Sequence, residues 1–126
     1  MARVLLFDGD CPFCTLSARQ LERLGCAVDM VPFQGYGDLA AHGLTERDVA
    51  AAVHLVDGDR VLVGHEALAG TLQHSRHAVL RLAGRVVGLP VLRPLGSRAY
   101  RFVSEHRDRL PGTTPACRAD PASCGR

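Results

Sequence analysis

Val4-Leu5-Leu6-Phe7-Asp8-Gly9-Asp10-Cys11-Pro12-Phe13-Cys14 is the stretch on which the reading of this 126-residue chain turns. Its first four residues form an unbroken apolar run of strand length, as in a central strand covered on both faces. Asp8-Gly9-Asp10 ends the strand. From Cys11 to Leu24 the apolar Cys14, Ala18, Leu21 and Leu24 then recur at spacings of three and four among polar residues. That spacing predicts an amphipathic helix with Pro12 in its first turn, Cys11 as N-cap and Gly25 just past its end. A Cys-x-x-Cys therefore falls on a strand-to-helix turn.

Working outward, Cys26 to Val31 alternates as a second strand closed by Pro32, which completes a βαβ unit with two parallel strands. Gln34 to Gly43 reads as loop. Thr45 and Asp48 form a capping box, stapled by Leu44 and Val49, for a short helix to about Ala52. Val53–Val56, the turn Asp57-Gly58-Asp59 and Arg60–Val63 make a hairpin. One helix is expected from His65, carrying Leu68, Leu72, Val79 and Leu82 into the core, followed by a linker marked by Gly88, Pro90 and Pro94. A last helix from about Ser97 places Tyr100, Val103, Arg107 and Leu110 on one stripe and stops at Pro111-Gly112. The order β-α-β-α-β-β-α, a parallel pair followed by a hairpin, is that of the thioredoxin fold. The expectation is an α/β, thioredoxin-like domain over residues 1–112, a central mixed sheet flanked by helices with an extra C-terminal helix. Residues 113–126 lack periodicity and read as an irregular or disordered tail.

Composition narrows the function. With 47% hydrophobic and 22% charged residues, the chain is an ordinary globular one. All 15 basic residues are arginine, which excludes mechanisms built on a lysine amine. The net charge of +2 and only six aromatic residues give a nucleic-acid role little support. No apolar run reaches membrane-span length, and the N-terminus is too short for a signal peptide, so the expected partners include neither nucleic acid nor membrane and the expected location is the cytoplasm. In a reducing compartment, five cysteines are more often catalytic, metal-binding or buried than bridged.

A thiolate is the reactive form of cysteine, and at a helix N-terminus it meets free backbone amides and the positive end of the helix dipole. Cys11 is therefore expected to attack and Cys14, one turn further in and less exposed, to resolve the mixed disulfide. Asp8 and Asp10 oppose a thiolate nearby. The amides and the dipole are expected to outweigh them if Asp10 points to solvent. Asp8, half-buried at the end of the strand, is the candidate proton acceptor for Cys14. The expected cofactor is the cysteine pair itself and the expected partner a protein or low-molecular-weight disulfide.

Phe7-Asp8-Gly9-Asp10-Cys11-Pro12-Phe13-Cys14 resembles the opening motif of the DCC family of predicted thiol-disulfide oxidoreductases, whose D-x-x-C-x-x-C is here Asp8, Cys11 and Cys14. Asp57-Gly58 with Val63-Gly64-His65-Glu66-Ala67 is similar to its middle segment, and Tyr100-Arg101-Phe102-Val103 with Arg107 to its closing helix. The likeness runs from about Val4 to Leu110. It implies dithiol–disulfide exchange on a thioredoxin-like fold. Unlike thioredoxins at large, this chain has Ala51-Ala52-Val53 where they carry a cis-proline.

Three other readings compete. Cys-Pro-Phe-Cys is also similar to glutaredoxins, which would make glutathione a co-substrate. Leu5 to Asp10 resembles the D-x-D opening of haloacid-dehalogenase-type phosphatases, with Asp57 and Asp59 as the late acidic pair for magnesium. Cys11, Cys14, Cys117 and Cys124 together could hold zinc, although the last two are loosely spaced for it. Those two could instead be exposed thiols or an accessory disulfide that relays electrons to Cys11. Cys26 reads as a small buried hydrophobe, His65 as structural, and His74 with His77 as solvated.

Overall fold

In the computed structural model, which describes residues 3–126, the N-terminal apolar run forms β1 (Arg3–Phe7). It lies inside a four-stranded sheet of order β2-β1-β3-β4. β2 (Asp29–Pro32) pairs with it in parallel, so that Phe7 stands opposite Pro32. β3 (His54–Asp57) pairs with its other edge in antiparallel sense and continues into β4 (Arg60–Val63) through a two-residue turn. Strand side chains alternate between faces, and the core is correspondingly split in two. Leu5 and Leu55 pack with Val28 and Ala67 on one side, under α1 (Pro12–Arg23) and α3 (His65–Leu72). Leu6 and Val56 pack with Phe33 and Val49 on the other, under α2 (Glu46–Ala51). This mixed architecture is compatible with the thioredoxin-like fold.

Local signals hold where both partners lie within one turn. The Asp48 amide donates to Thr45 Oγ1 and the Asp48 carboxylate accepts from the Thr45 amide, at 3.2 and 2.9 Å, closing the capping box. Gly25 follows α1 with φ +73°, the left-handed geometry that a helix end of this kind requires.

The structure departs from the expectation wherever a distant segment intervenes. The single helix from His65 is two, α3 and α4 (Ala78–Val87). Between them, residues 74–76 leave the helix to lie along residues 25–27. Ala27 donates to the His74 carbonyl at 2.9 Å, Arg76 to that of Gly25 at 3.0 Å, and Ser75 Oγ to that of Leu24 at 2.6 Å. Cys26 consequently sits in an isolated bridge with Ser75 rather than in β2, half-buried rather than buried. Breaking the helix rotates α4, so Val79 and Leu82, expected inside, are exposed. α5 (Arg93–Glu105) starts ahead of Ser97 because Pro94 sits in its first turn instead of in a linker. The stretch 113–126, aperiodic in sequence, holds α6 (Ala116–Ala119) and a 3-10 turn (Pro121–Cys124). Its two cysteines are bonded to each other and buried, which corrects both the exposed-thiol reading and the irregular tail. No helix among the described residues is long and apolar enough to cross a membrane.

Candidate active site

β1 ends at Phe7, and the amide of Cys11 turns back to the Asp8 carbonyl at 3.1 Å. This places Cys11 at the N-cap of α1, where its Sγ accepts the Cys14 amide at 3.2 Å. Cys11 carries the extended backbone of a cap, and its own carbonyl accepts the Thr15 amide, the first bond of the helix. Both cysteines are free thiols.

Exposure within the pair is the reverse of the expectation. Cys11 is only 8% exposed, and Cys14 is half-buried. The cause is the C-terminal segment, which packs over the turn. Thr113 donates to the Pro12 carbonyl at 3.2 Å, Ala116 to Thr15 Oγ1 at 3.2 Å, and Cys117 to the Gly9 carbonyl at 3.0 Å. A Cβ on Gly9 would lie 2.6 Å from Cys117 Sγ, so the closeness of the disulfide to the turn demands glycine there.

Each aspartate of the turn has its own cation. Arg126 donates to both oxygens of Asp10 at 2.8 Å, and this pairing holds the exposed carboxylate below its ordinary range. Asp8 accepts from the Asp10 amide at 3.0 Å and from Gln34 Nε2 at 2.9 Å, and its other oxygen lies 3.6 Å from Arg107 Nη2. Arg107 Nη1 in turn reaches Cys14 Sγ at 3.6 Å. No hydrogen bond joins Asp8 directly to Cys14; the guanidinium links them. Burial pushes the Cys14 thiol up to about 12, with the Cys11 hydrogen bond and charge adding to the rise and Arg107 opposing it.

Sequence reading placed Arg107 on the stripe of the closing helix without giving it a role. The signal was a cation on an otherwise core-facing stripe with Tyr100 and Val103. Tyr100, too, was missed. Its hydroxyl accepts the Val53 amide at 2.9 Å, so the segment before β3 is tied to α5 by a side chain. An apolar cavity of about 310 Å³ opens beside Cys14, between α1 and α5, walled by Phe7, Phe13, Val53, Tyr100 and Val103 and edged by Asp8 and Arg107.

The phosphatase and four-cysteine zinc readings lose their parts. Asp57 pairs with Arg3, at the start of β1, whereas Asp8 follows its end, so the acidic cluster a phosphatase needs is divided by the length of the strand. The Cys117–Cys124 bond takes two sulfurs from the four-cysteine zinc set. Among the described residues no group of three or more His, Cys, Asp or Glu is placed to hold a metal, and His74 and His77 are accordingly without a third ligand.

A family model described as DCC1-like thiol-disulfide oxidoreductase matches residues 5–113. Neither the curated proteins nor the solved structures contain a match.

Proposed function

The chain belongs to the DCC1-like thiol-disulfide oxidoreductase family, and from that premise we propose that Cys11 and Cys14 are its redox pair, with Cys11 attacking and Cys14 resolving. The observation that carries this reading is the asymmetry of the two sulfurs. Cys11 Sγ sits on the N-cap, where it accepts the Cys14 amide at the start of the helix. Cys14, pushed up to about 12, keeps its proton at neutral pH until it is needed.

In the first step the Cys11 thiolate attacks one sulfur of the substrate disulfide. A mixed disulfide forms, and the other substrate sulfur leaves as thiolate and takes a proton. Once Cys11 is bonded, both of its contributions to the raised Cys14 pKa disappear, while Arg107 at 3.6 Å still favours the Cys14 thiolate. Cys14 gives its proton to Asp8 through one water and attacks Cys11 Sγ. The second substrate thiol leaves, the pair is left as a disulfide, and two electrons have passed to the substrate. The cysteine pair is the only redox group this cycle uses. The apolar wall of the cavity beside Cys14 favours a substrate whose disulfide is flanked by apolar groups.

The test is trapping. Cys14→Ser should attack a disulfide and accumulate a mixed disulfide seen as added mass on the intact protein, whereas Cys11→Ser should be inert. Trapping by Cys11→Ser in place of Cys14→Ser would reverse the roles.

A further inference from the structure

The geometry points to a docking face for an anionic lipid surface, built by α4, the turn after it and α5. Nearly all the large apolar side chains left exposed among the described residues belong to this one region. On α4, Val79, Leu82 and Val86 fall at i, i+3 and i+7, a single stripe that faces away from the core. Val91 in the turn is 80% exposed, and Leu95 and Phe102 extend the surface along α5 at 67% and 64%. Large apolar side chains left exposed in such number on neighbouring stretches of one segment mark an interaction surface more than the scattered exposure normal for a protein.

Charge identifies the occupant. Between Ala67 and Ser104 there are six arginines and no aspartate or glutamate. Elsewhere, nine arginines face all thirteen acidic residues, so the small net charge of the chain conceals a strongly basic block on a mildly acidic body. Arg81 is engaged by the Ser75 carbonyl and Arg93 by Glu66. Arg85, Arg98 and Arg101 are exposed, without an ion pair among the described residues. Arginine beside an aliphatic stripe is the pattern of a helix lying in the headgroup region, its apolar side chains dipping toward the acyl chains and its guanidinium groups on lipid phosphates.

Other occupants fit less well. A second copy related by two-fold symmetry would set one all-positive face against another. A duplex would meet the arginines but leave the exposed valines and leucines unused. Protein interfaces favour aromatic anchors, and the exposed large aromatic of this region, Phe102, is already stacked on His106. The expectation of no membrane partner, drawn from span length, is silent on such peripheral contact; a surface helix needs no span.

Co-sedimentation of the full chain with vesicles tests the inference. Binding should appear with phosphatidylcholine mixed with phosphatidylglycerol, be weak with phosphatidylcholine alone, and fall as salt is raised. Replacing Arg85, Arg98 and Arg101 together by Gln should weaken binding by about two orders of magnitude, at about fivefold for each arginine. Val79→Asp with Val91→Asp should abolish it. Both variants lie away from the cysteines and should keep their far-UV circular dichroism and their disulfide reduction in solution, which separates a lost surface from a lost fold. Binding that is equal on neutral vesicles, absent on anionic ones or unchanged in the Val79→Asp, Val91→Asp variant would overturn the inference. So would a stable dimer in solution that Val79→Asp dissolves.

Discussion

Arg107→Ala removes the cation that, among the described residues, reaches Cys14, and the size of the loss follows from the distance. A unit charge 3.6 Å from the sulfur is worth about 1.2 kcal/mol in a medium as polar as water and about 4.6 kcal/mol at an effective dielectric of 20. Those limits correspond to about 0.8 and 3.4 pK units on the Cys14 thiol. The Arg107 side chain is 29% exposed and its guanidinium is shared with Asp8, so solvent screening and the carboxylate bring the effect toward the lower limit, about one unit. One unit lowers the thiolate fraction tenfold, but a more basic thiolate is a better nucleophile, and a Brønsted slope of about 0.4–0.5 restores about threefold. Resolution should therefore slow about threefold, or by several tens if the site is drier than its exposure indicates. The assay is the reaction of the reduced protein with an excess of an aromatic disulfide that releases a coloured thiol. The first release reports attack by Cys11 and the second reports resolution by Cys14. Arg107→Ala should retard the second phase more than the first, and by the same factor at every pH well below the Cys14 pKa, because there the thiolate fractions of variant and wild type both grow tenfold per pH unit. Arg107→Lys keeps a charge and should recover part of the rate. A second phase unchanged in Arg107→Ala, or one that falls with rising pH, would refute the reasoning.

Asp8→Asn keeps the shape of the side chain but cannot accept the Cys14 proton, so the second phase should slow at neutral pH and approach the wild-type rate in alkaline buffer, where hydroxide replaces it. Cys117→Ser opens a disulfide that closes an eight-residue loop, worth roughly 2.5 kcal/mol of restraint in the chain-entropy model. The segment lies over the turn, so Cys11 should be alkylated by iodoacetamide faster in this variant than in the wild type, as peptide mass mapping would show. Tyr100→Phe leaves the Val53 amide without its acceptor and should cost about 1–3 kcal/mol, read as a lower midpoint in thermal unfolding with the same end states.

What the chain settles on its own is everything whose partners lie within a turn or two of one another. The Cys11 cap and its Cys14 amide are three residues apart, as are Thr45 and Asp48, and the hairpin closes across Gly58-Asp59. Periodicity and capping report such pairs directly, so the βαβ unit, the short helix, the hairpin and the position of Cys11 and Cys14 are legible in the order of residues alone. Arg107 and Cys14 are 93 residues apart, Tyr100 and Val53 are 47 apart, and Ser75 meets Leu24 across 51. No local pattern encodes these meetings, because each depends on how whole elements pack on the sheet. The segment 74–76 carries neither Gly nor Pro to mark the end of a helix. Only its bonds to residues 24–27 draw it out of the helix and turn Val79 and Leu82 toward solvent. In the same way, spacing leaves Cys117 and Cys124 several fates, with exposed thiols the plainest. Tertiary structure decides among them by burying the pair against Gly9 as a disulfide, and with it decides that Cys11 is the covered sulfur and Cys14 the one beside the open cavity.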